Sequence, residues 1–309
     1  MNIKVVIPAY RVKAQIMELL NQIGPEVDEI IVVDDCCPEE SGKYVEQHLN
    51  DKRIQVVFHE KNKGVGGAVI TGFKTILAKN YPDPYLVFKL DGDGQMDPKL
   101  LKKFADSIGK SDYVKGNRFY YVKSLNQMPK LRLFGNSMLS LINKFVNGYW
   151  QIMDPTNGYI GITSEALAQL ELERLDERYF FESDMLYRLS LIRAKVVDVP
   201  MLPKYEDEES SLSISRVLLE FPPKYFSRFC KRIFYNYFLR DFNAGTIQLL
   251  TGFVLFLFGV FFGIYHWVLS IKTGEPTLTG TIMIAALSTI FGFQLLLGFL
   301  NYDVQNSPR

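Results

Sequence analysis

The turn Asp91-Gly92-Asp93-Gly94-Gln95 sets two carboxylates one residue apart on a backbone that glycine leaves free to fold tightly. Oxygen donors so spaced suit a hard divalent cation, Mg2+ or Mn2+, which takes one or two protein carboxylates and completes its shell with water and substrate phosphate. The preceding run, Tyr85-Leu86-Val87-Phe88-Lys89-Leu90, is almost continuously apolar and reads as an inner strand. Asp91 and Asp93 then stand just past a strand's carboxyl end, the edge at which open parallel sheets bind ligands. The chemistry within reach is a metal held on the diphosphate of a nucleotide.

A second carboxylate pair, Asp34-Asp35, ends the run Ile30-Ile31-Val32-Val33 at the same kind of edge. One of the two can accept hydrogen bonds from a nucleobase or ribose while its neighbour turns the chain. In Asn62-Lys63-Gly64-Val65-Gly66-Gly67-Ala68 the glycines allow backbone N–H groups at a helix start to approach phosphate. This stretch is not a dinucleotide fingerprint, because Val69 stands where the third glycine belongs, and it lacks the Gly-Lys-Ser/Thr end of a P-loop. Farther on, Glu182 and Asp184 open a helix, either as acids that favour its dipole or with one of them facing the reaction centre as a base. The histidines, His48, His59 and His266, suggest no Ser-His-Asp arrangement, so hydrolysis through a histidine-activated nucleophile is not expected.

These residues need a frame. Strand-like runs at 3–7, 29–33, 54–58 and 85–90 alternate with helical spacing at 16–23, 65–77 and 100–108. Such alternation builds βαβ units, hence a mostly parallel sheet with helices on both faces. From Tyr113 the alternation loosens, with strands expected at 113–115, 158–162 and 196–199 around helices at 131–146 and 183–192. The acidic stretch Glu206-Asp207-Glu208-Glu209 reads as a surface loop.

The carboxyl-terminal third differs. Segments 247–270 and 278–300 hold no Asp, Glu, Lys or Arg, and each is about the 20 residues a helix needs to cross a bilayer. Before them, Pro222-Pro223 is expected to open a helix with Lys224, Arg228, Lys231 and Arg232 on one face and Phe226, Phe229, Ile233 and Tyr237 on another, as suits the headgroup layer. Lys231, Arg232 and Arg240 precede the first span and only Lys272 lies between the spans, which places the main domain and both termini on the cytoplasmic side. His266 and Trp267 read as an interfacial anchor. The expected organisation is a catalytic domain over 1–220, juxtamembrane helices over 221–245, two spans over 246–301 and a short tail over 302–309. Gly259-x-x-x-Gly263 offers a small-residue face for self-association.

Composition narrows the field. The 309 residues, 48 % hydrophobic, suffice for one α/β domain plus a membrane hairpin, and a net charge of +1 argues against a general nucleic-acid binder. Cys36, Cys37 and Cys230 form neither a CxxC pair nor a zinc spacing, which fits a reducing compartment.

Taken in order, Val6-Ile7-Pro8-Ala9-Tyr10, Val32-Val33-Asp34-Asp35, the glycine stretch 62–72, Asp91-Gly92-Asp93-Gly94-Gln95, Gly116-Asn117-Arg118-Phe119 and Asp154-Pro155-Thr156-Asn157-Gly158 resemble the family 2 inverting glycosyltransferases with a GT-A fold. Within them the chain is similar to the polyprenyl-phosphate branch, that of dolichol-phosphate mannose synthase and bactoprenol glucosyltransferase, over residues 3–205. The resemblance implies a UDP- or GDP-sugar donor, a polyprenyl-phosphate acceptor and a bacterial-type inner membrane setting. It implies donor contacts from Pro8, Ala9, Tyr10, Asp35, Asn62, Gly64 and Gly66, metal and diphosphate at Asp91 and Asp93, and Gln95 beside the donor sugar. Arg118 and Arg132 match its cationic positions for the acceptor phosphate, a role that forked guanidinium groups suit. Two departures stand out: Arg11-Val12 follows Tyr10 where the family has Asn-Glu, and the basic loop after the last strand is replaced by Tyr205-Glu206-Asp207-Glu208-Glu209.

Overall fold

The structure, a computed structural model, describes residues 2–109, 111–121, 130–202 and 214–308, with the side chains of 131–132 and 214–218 outside the description. The acidic run at 206–209 and the side chain of Arg132 thus lie outside the described residues. The chain divides into two compact units, one over residues 1–229 and the other over 230–307.

In the first unit, strands β1 (Asn2–Ala9), β2 (Val27–Asp34), β3 (Ile54–Phe58), β4 (Tyr85–Lys89), β5 (Tyr113–Asn117), β6 (Ile160–Thr163) and β7 (Val196–Pro200) form one sheet in the order β3-β2-β1-β4-β6-β5-β7. All pairings are parallel except those of β6, which runs antiparallel to both β4 and β5. The helices are α1 (Ile16–Gln22), α2 (Ser41–His48), α3 (Val65–Leu77), α4 (Leu101–Ile108), α5 (Lys130–Asn147), α6 (Ser164–Ala168) and α7 (Phe181–Leu191).

Alternation along the strands divides the core between the two sheet faces. Val6, Ile31, Val33 and Val87 pack with Phe73 of α3 and with Phe181 and Met185 of α7. Val5, Ile7, Ile30, Val32, Leu86 and Phe88 pack with Leu19 of α1 and Phe104 of α4. Because both faces are covered, the inner strands read as nearly unbroken apolar runs rather than as alternating ones. Sequence spacing did not foretell α2. Asp34 starts it, accepting from the N–H groups of Cys37 and Gly42 at 2.7 Å each.

Helix α8 (Ile214–Phe234) contains Pro222 and Pro223 in its interior, so the expected helix start at these prolines, and the domain boundary at 220/221, both fall inside one element. The packing of Phe221 and Tyr225 against Phe180 and Val146 holds the helix through them, an instance of tertiary contact overriding propensity. The cationic face is also placed differently from the expectation. Lys224 bonds to Asp176, the Arg228 Nε donates to Asp184 at 2.8 Å, and Arg232 is buried against Asp303. Ile233 and Tyr237 are buried as well, leaving Phe226 as the exposed member of the aromatic set.

In the second unit, α9 (Ala244–Thr273) and α10 (Thr279–Gln305) pair as a hairpin. Their most apolar 18-residue windows have mean hydropathy 2.3 and 2.0 and are only 11 % buried each, the reverse of a soluble protein's core helix. Asn243 caps α9 by accepting from the Thr246 N–H, and Gly274 closes it in the left-handed region at φ 71°. A Cβ on Gly259 would lie 2.4 Å from Thr289 Oγ1, and one on Gly292 2.3 Å from the Phe256 nitrogen. The small-residue face expected to join two copies is therefore used within the chain, between α9 and α10.

Candidate active site

β1, β2 and β4 end side by side, with Ala9 in register with Asp34 and Val6 with Lys89. This alignment brings the Pro8-Ala9-Tyr10 segment against the Asp91 turn: a Cβ on Gly92 would lie 3.0 Å from the Pro8 carbonyl oxygen. Within the turn the Gln95 N–H donates to Asp93 Oδ1 at 3.0 Å, Gly94 takes φ 76°, and the Asp91 N–H contacts Met96 Sδ at 3.3 Å. Tyr10 is exposed beside it, with the Arg11 guanidinium over its ring.

The most informative side chain at this edge was not singled out from sequence. Lys89 closes β4 on the face shared by Val87, where the first turn of α7 sits, so its ammonium meets Glu182. Its Nζ donates to Glu182 Oε1 at 3.2 Å and lies 2.8 Å from Asp91 Oδ1. The latter contact is a close ion pair against a buried carboxylate oxygen. Burial acts to strip the proton from Lys89, and the charges of Asp91 and Glu182 outweigh it, holding its pKa above the ordinary lysine range. Gly158 leaves the room: a Cβ there would lie 2.4 Å from Lys89 Nζ and 2.8 Å from Asp91 Oδ2. In sequence, a lysine inside an apolar strand next to an acidic turn was the available signal.

Two carboxylates one residue apart at this edge, with the Asp91 oxygen held by an ammonium that a second acceptor shares, supply oxygen donors that fit a divalent cation whose remaining ligands come from a diphosphate. Among the described residues no group of three or more His, Cys, Asp and Glu side chains could hold a metal ion by itself.

The other sequence candidates separate. Asp35 is buried and accepts from the N–H groups of Lys63 and Gly64 at 2.8 Å each and contacts His59 Nδ1 at 2.7 Å. His59 continues to Thr71 Oγ1 at 2.8 Å, an acid-histidine-hydroxyl series unforeseen from sequence. The Thr71 hydroxyl donates to the Gly67 carbonyl at 3.0 Å, which commits it to the helix backbone rather than to attack on a substrate. Asn62 donates to the Asp35 carbonyl at 3.2 Å. Gly64, at φ 91°, and Gly66 meet the backbone of 176–178, and the Gly67 N–H donates to the Glu177 carbonyl at 2.8 Å. The N–H groups of Lys63, Gly64 and Gly67 at this helix start thus bond to Asp35 and Glu177.

Asp184 is fully buried between Arg188 Nε at 3.3 Å and Arg228 Nε at 2.8 Å, and also accepts from the Asp176 N–H at 3.0 Å. Its surroundings are those of a structural counterion, not of a free base. Arg118 is bound by buried Asp154, its Nε and Nη2 donating to the two carboxylate oxygens at 2.8 Å each. Burial acts to raise the Asp154 carboxyl, and Arg118 and Lys115 outweigh it and hold it below the usual carboxylate range. Midway along β5 and β7, where Lys115 and Asp198 are in register, burial pulls Lys115 below the ordinary lysine range against Asp198 and Asp154, and pushes Asp198 up against Lys115. Arg118, the position the resemblance gives to the acceptor phosphate, is thereby ion-paired to Asp154.

The family model described as glycosyl transferase family 2 matches residues 4–170. An undecaprenyl-phosphate mannosyltransferase of Micrococcus luteus is 25 % identical over 205 residues, covering 65 % of this chain and 83 % of that protein. A UDP-N-acetylglucosamine–dolichyl-phosphate N-acetylglucosaminyltransferase of Methanococcus voltae is 28 % identical over 221 residues, 66 % of this chain and 86 % of that one. Among solved structures, glucosyl-3-phosphoglycerate synthase of Mycobacterium tuberculosis superposes with a TM-score of 0.52 at 18 % identity, covering 75 % of this chain and 79 % of the other. That likeness gives the first unit the GT-A fold.

Proposed function

The chain belongs to glycosyl transferase family 2, and on that premise we propose that it moves a sugar, with inversion, from a nucleoside diphosphate to a polyprenyl phosphate at a membrane surface. The observation that carries this reading is the Asp91–Asp93 turn at the shared end of β1, β2 and β4, with Asp91 facing a buried ammonium that Glu182 shares. The polyprenyl-phosphate acceptors named for both curated relatives, and two helices long and apolar enough to cross a bilayer, support the lipid acceptor.

In this reading Pro8, Ala9, Tyr10 and Asp35 line the nucleoside side, Asp91 and Asp93 hold Mg2+ or Mn2+, and Gln95 lies beside the donor sugar. A bound divalent cation neutralises charge on the departing nucleoside diphosphate. The acceptor phosphate, whose second pKa is about 6, is largely dianionic at neutral pH and attacks the anomeric carbon without a general base. That agrees with an Asp184 committed to two arginines. Arg132 is the cation proposed for the acceptor phosphate, because Arg118 is bound by Asp154. Lys231 and Arg240 ahead of α9, against Lys272 in its last turn, favour a cytoplasmic first unit with both termini on that side of a bacterial-type inner membrane.

The test is incubation of the purified full chain with a panel of UDP- and GDP-sugars and undecaprenyl phosphate, with the lipid product identified by mass spectrometry. A glycosyl-phosphoryl lipid whose formation stops in chelator, and in Asp91→Ala with Asp93→Ala, is the expected result. Full transfer by that double variant would end the metal reading.

A further inference from the structure

We propose that Lys89 is a built-in counterion for the metal carboxylates, which makes cation binding at Asp91 and Asp93 depend on the nucleoside diphosphate. The inference rests on the reading of those two residues as the cation site and adds a control on its occupancy. Lys89 Nζ stands between two acceptors, 2.8 Å from Asp91 Oδ1 and 3.2 Å from Glu182 Oε1. With both in reach, the ammonium can lean toward Glu182 when a cation takes Asp91, and return when the cation leaves.

A stability role is a weak explanation for such a group. Burying an ammonium costs more than its pairing commonly returns, and an apolar residue of similar shape in an otherwise apolar strand would serve the fold as well. Yet Lys89 is fully enclosed, and Gly158 leaves no side chain in the space its Nζ occupies beside Asp91. The consequence is electrostatic. One positive charge beside Asp91 repels an incoming divalent cation, so the bare protein holds the cation weakly. The negative charges of a nucleoside diphosphate reverse the balance, and by linkage the cation then strengthens nucleotide binding by the same factor. The site would thus fill with metal and donor together, sparing it idle occupation by a free cation.

The test measures free Mn2+ by electron paramagnetic resonance during titration of the full chain in detergent, alone and with UDP or GDP. Wild type should bind Mn2+ weakly alone and more tightly with one nucleotide. Lys89→Met should bind Mn2+ alone about tenfold or more tightly than wild type, within the usual range of coupled sites, and should gain less from nucleotide. Glu182→Gln moves the opposite way, because Lys89 then has only Asp91 as counterion: Mn2+ alone binds more weakly. The double variant should resemble Lys89→Met. A residue that merely supported the fold would change melting temperature without this pair of opposite shifts. Equal or weaker Mn2+ binding by Lys89→Met overturns the proposal, and if that variant does not fold, unchanged or tighter binding by Glu182→Gln does so. Absence of Mn2+ binding by wild type, even with nucleotide, would overturn the cation site itself and this inference with it. A bound wild type whose variants do not differ removes only the role of Lys89.

Discussion

Glu182 and Asp184 lie two residues apart at the start of α7 and meet opposite surroundings. Asp184 is enclosed by Arg188, Arg228 and the Asp176 N–H, so Asp184→Asn leaves two guanidinium groups short of a counterion. Removing one partner of a buried pair costs about 3–5 kcal/mol. Thermal unfolding of the full chain should register that loss, while an unchanged melting temperature would show that the arginines find other partners. Glu182 is the informative one for chemistry. At saturating Mn2+, Glu182→Gln should leave turnover near wild type if the acceptor is a phosphate, whereas a hydroxyl acceptor needing this base would lose about 10²–10⁴-fold. Arg132→Ala should abolish transfer in the first case. The turn of Asp91 and Asp93 could be read in the sequence because its position follows from one buried strand. The fates of Arg118 and Asp184 could not, since their partners Asp154 and Arg228 lie 36 and 44 residues away and only the fold brings them together. Lys89 was half visible: an apolar run ending in lysine signals a paired charge, but Glu182 as the partner requires knowing which face α7 covers.

At the scale of elements, Lys115 in mid-β5 stands between two acids shifted in opposite directions, Asp198 in mid-β7 and Asp154 in the segment ahead of β6. Asp198, raised by burial, favours the folded state in its protonated form, so its contribution is lost as pH rises through its folded pKa. Asp154, held low chiefly by Arg118 against its burial, contributes stability above the unfolded carboxylate pKa of about 3.9, and that contribution is lost as pH falls through its folded pKa. Melting temperatures between pH 7 and pH 3 should accordingly diverge. Relative to wild type, Asp198→Asn should gain ground as pH rises from about 4 to 7, and Asp154→Asn as pH falls below about 4. Parallel curves for the variants and wild type would refute the assignment. The parallel half of the sheet was legible because each strand is a short apolar run separated by a helical period. The antiparallel insertion of β6 between β4 and β5 was not, since a four-residue strand, Ile160-Gly161-Ile162-Thr163, carries no mark of its direction. Pro222 and Pro223 misled for the complementary reason: local rules end or begin helices at proline, and the contacts of Phe221 and Tyr225 prevailed.

For the molecule as a whole, a bilayer-length hairpin needs something that fixes its ends where no hydrophobic force sorts one helix from another. Within the second unit that role falls to Asp303, close to the end of α10. Arg232 donates to its two oxygens at 2.7 and 3.1 Å, and the Tyr237 hydroxyl adds a bond at 2.5 Å, with Arg232 and Asp303 both almost wholly buried. The segment ahead of α9 is thereby tied to the far end of α10, while Gly252, Gly259 and Gly292 let the two helices approach along their length. Composition alone announced two long apolar helices, but this tie was hidden because Arg232 reads locally as one cation of a headgroup-facing stripe. A buried pair of this kind is costly to break and inexpensive to replace. Arg232→Ala or Asp303→Ala singly should cost about 3–5 kcal/mol, whereas Arg232→Met combined with Asp303→Leu should restore most of that loss. Unfolding of the full chain in detergent, followed by Trp267 fluorescence on α9, distinguishes these outcomes. If the single variants match wild type, the hairpin is held by its glycine-lined contact alone; if the double variant is worse than either single one, Tyr237 depends on the Asp303 carboxylate more than the ion pair does.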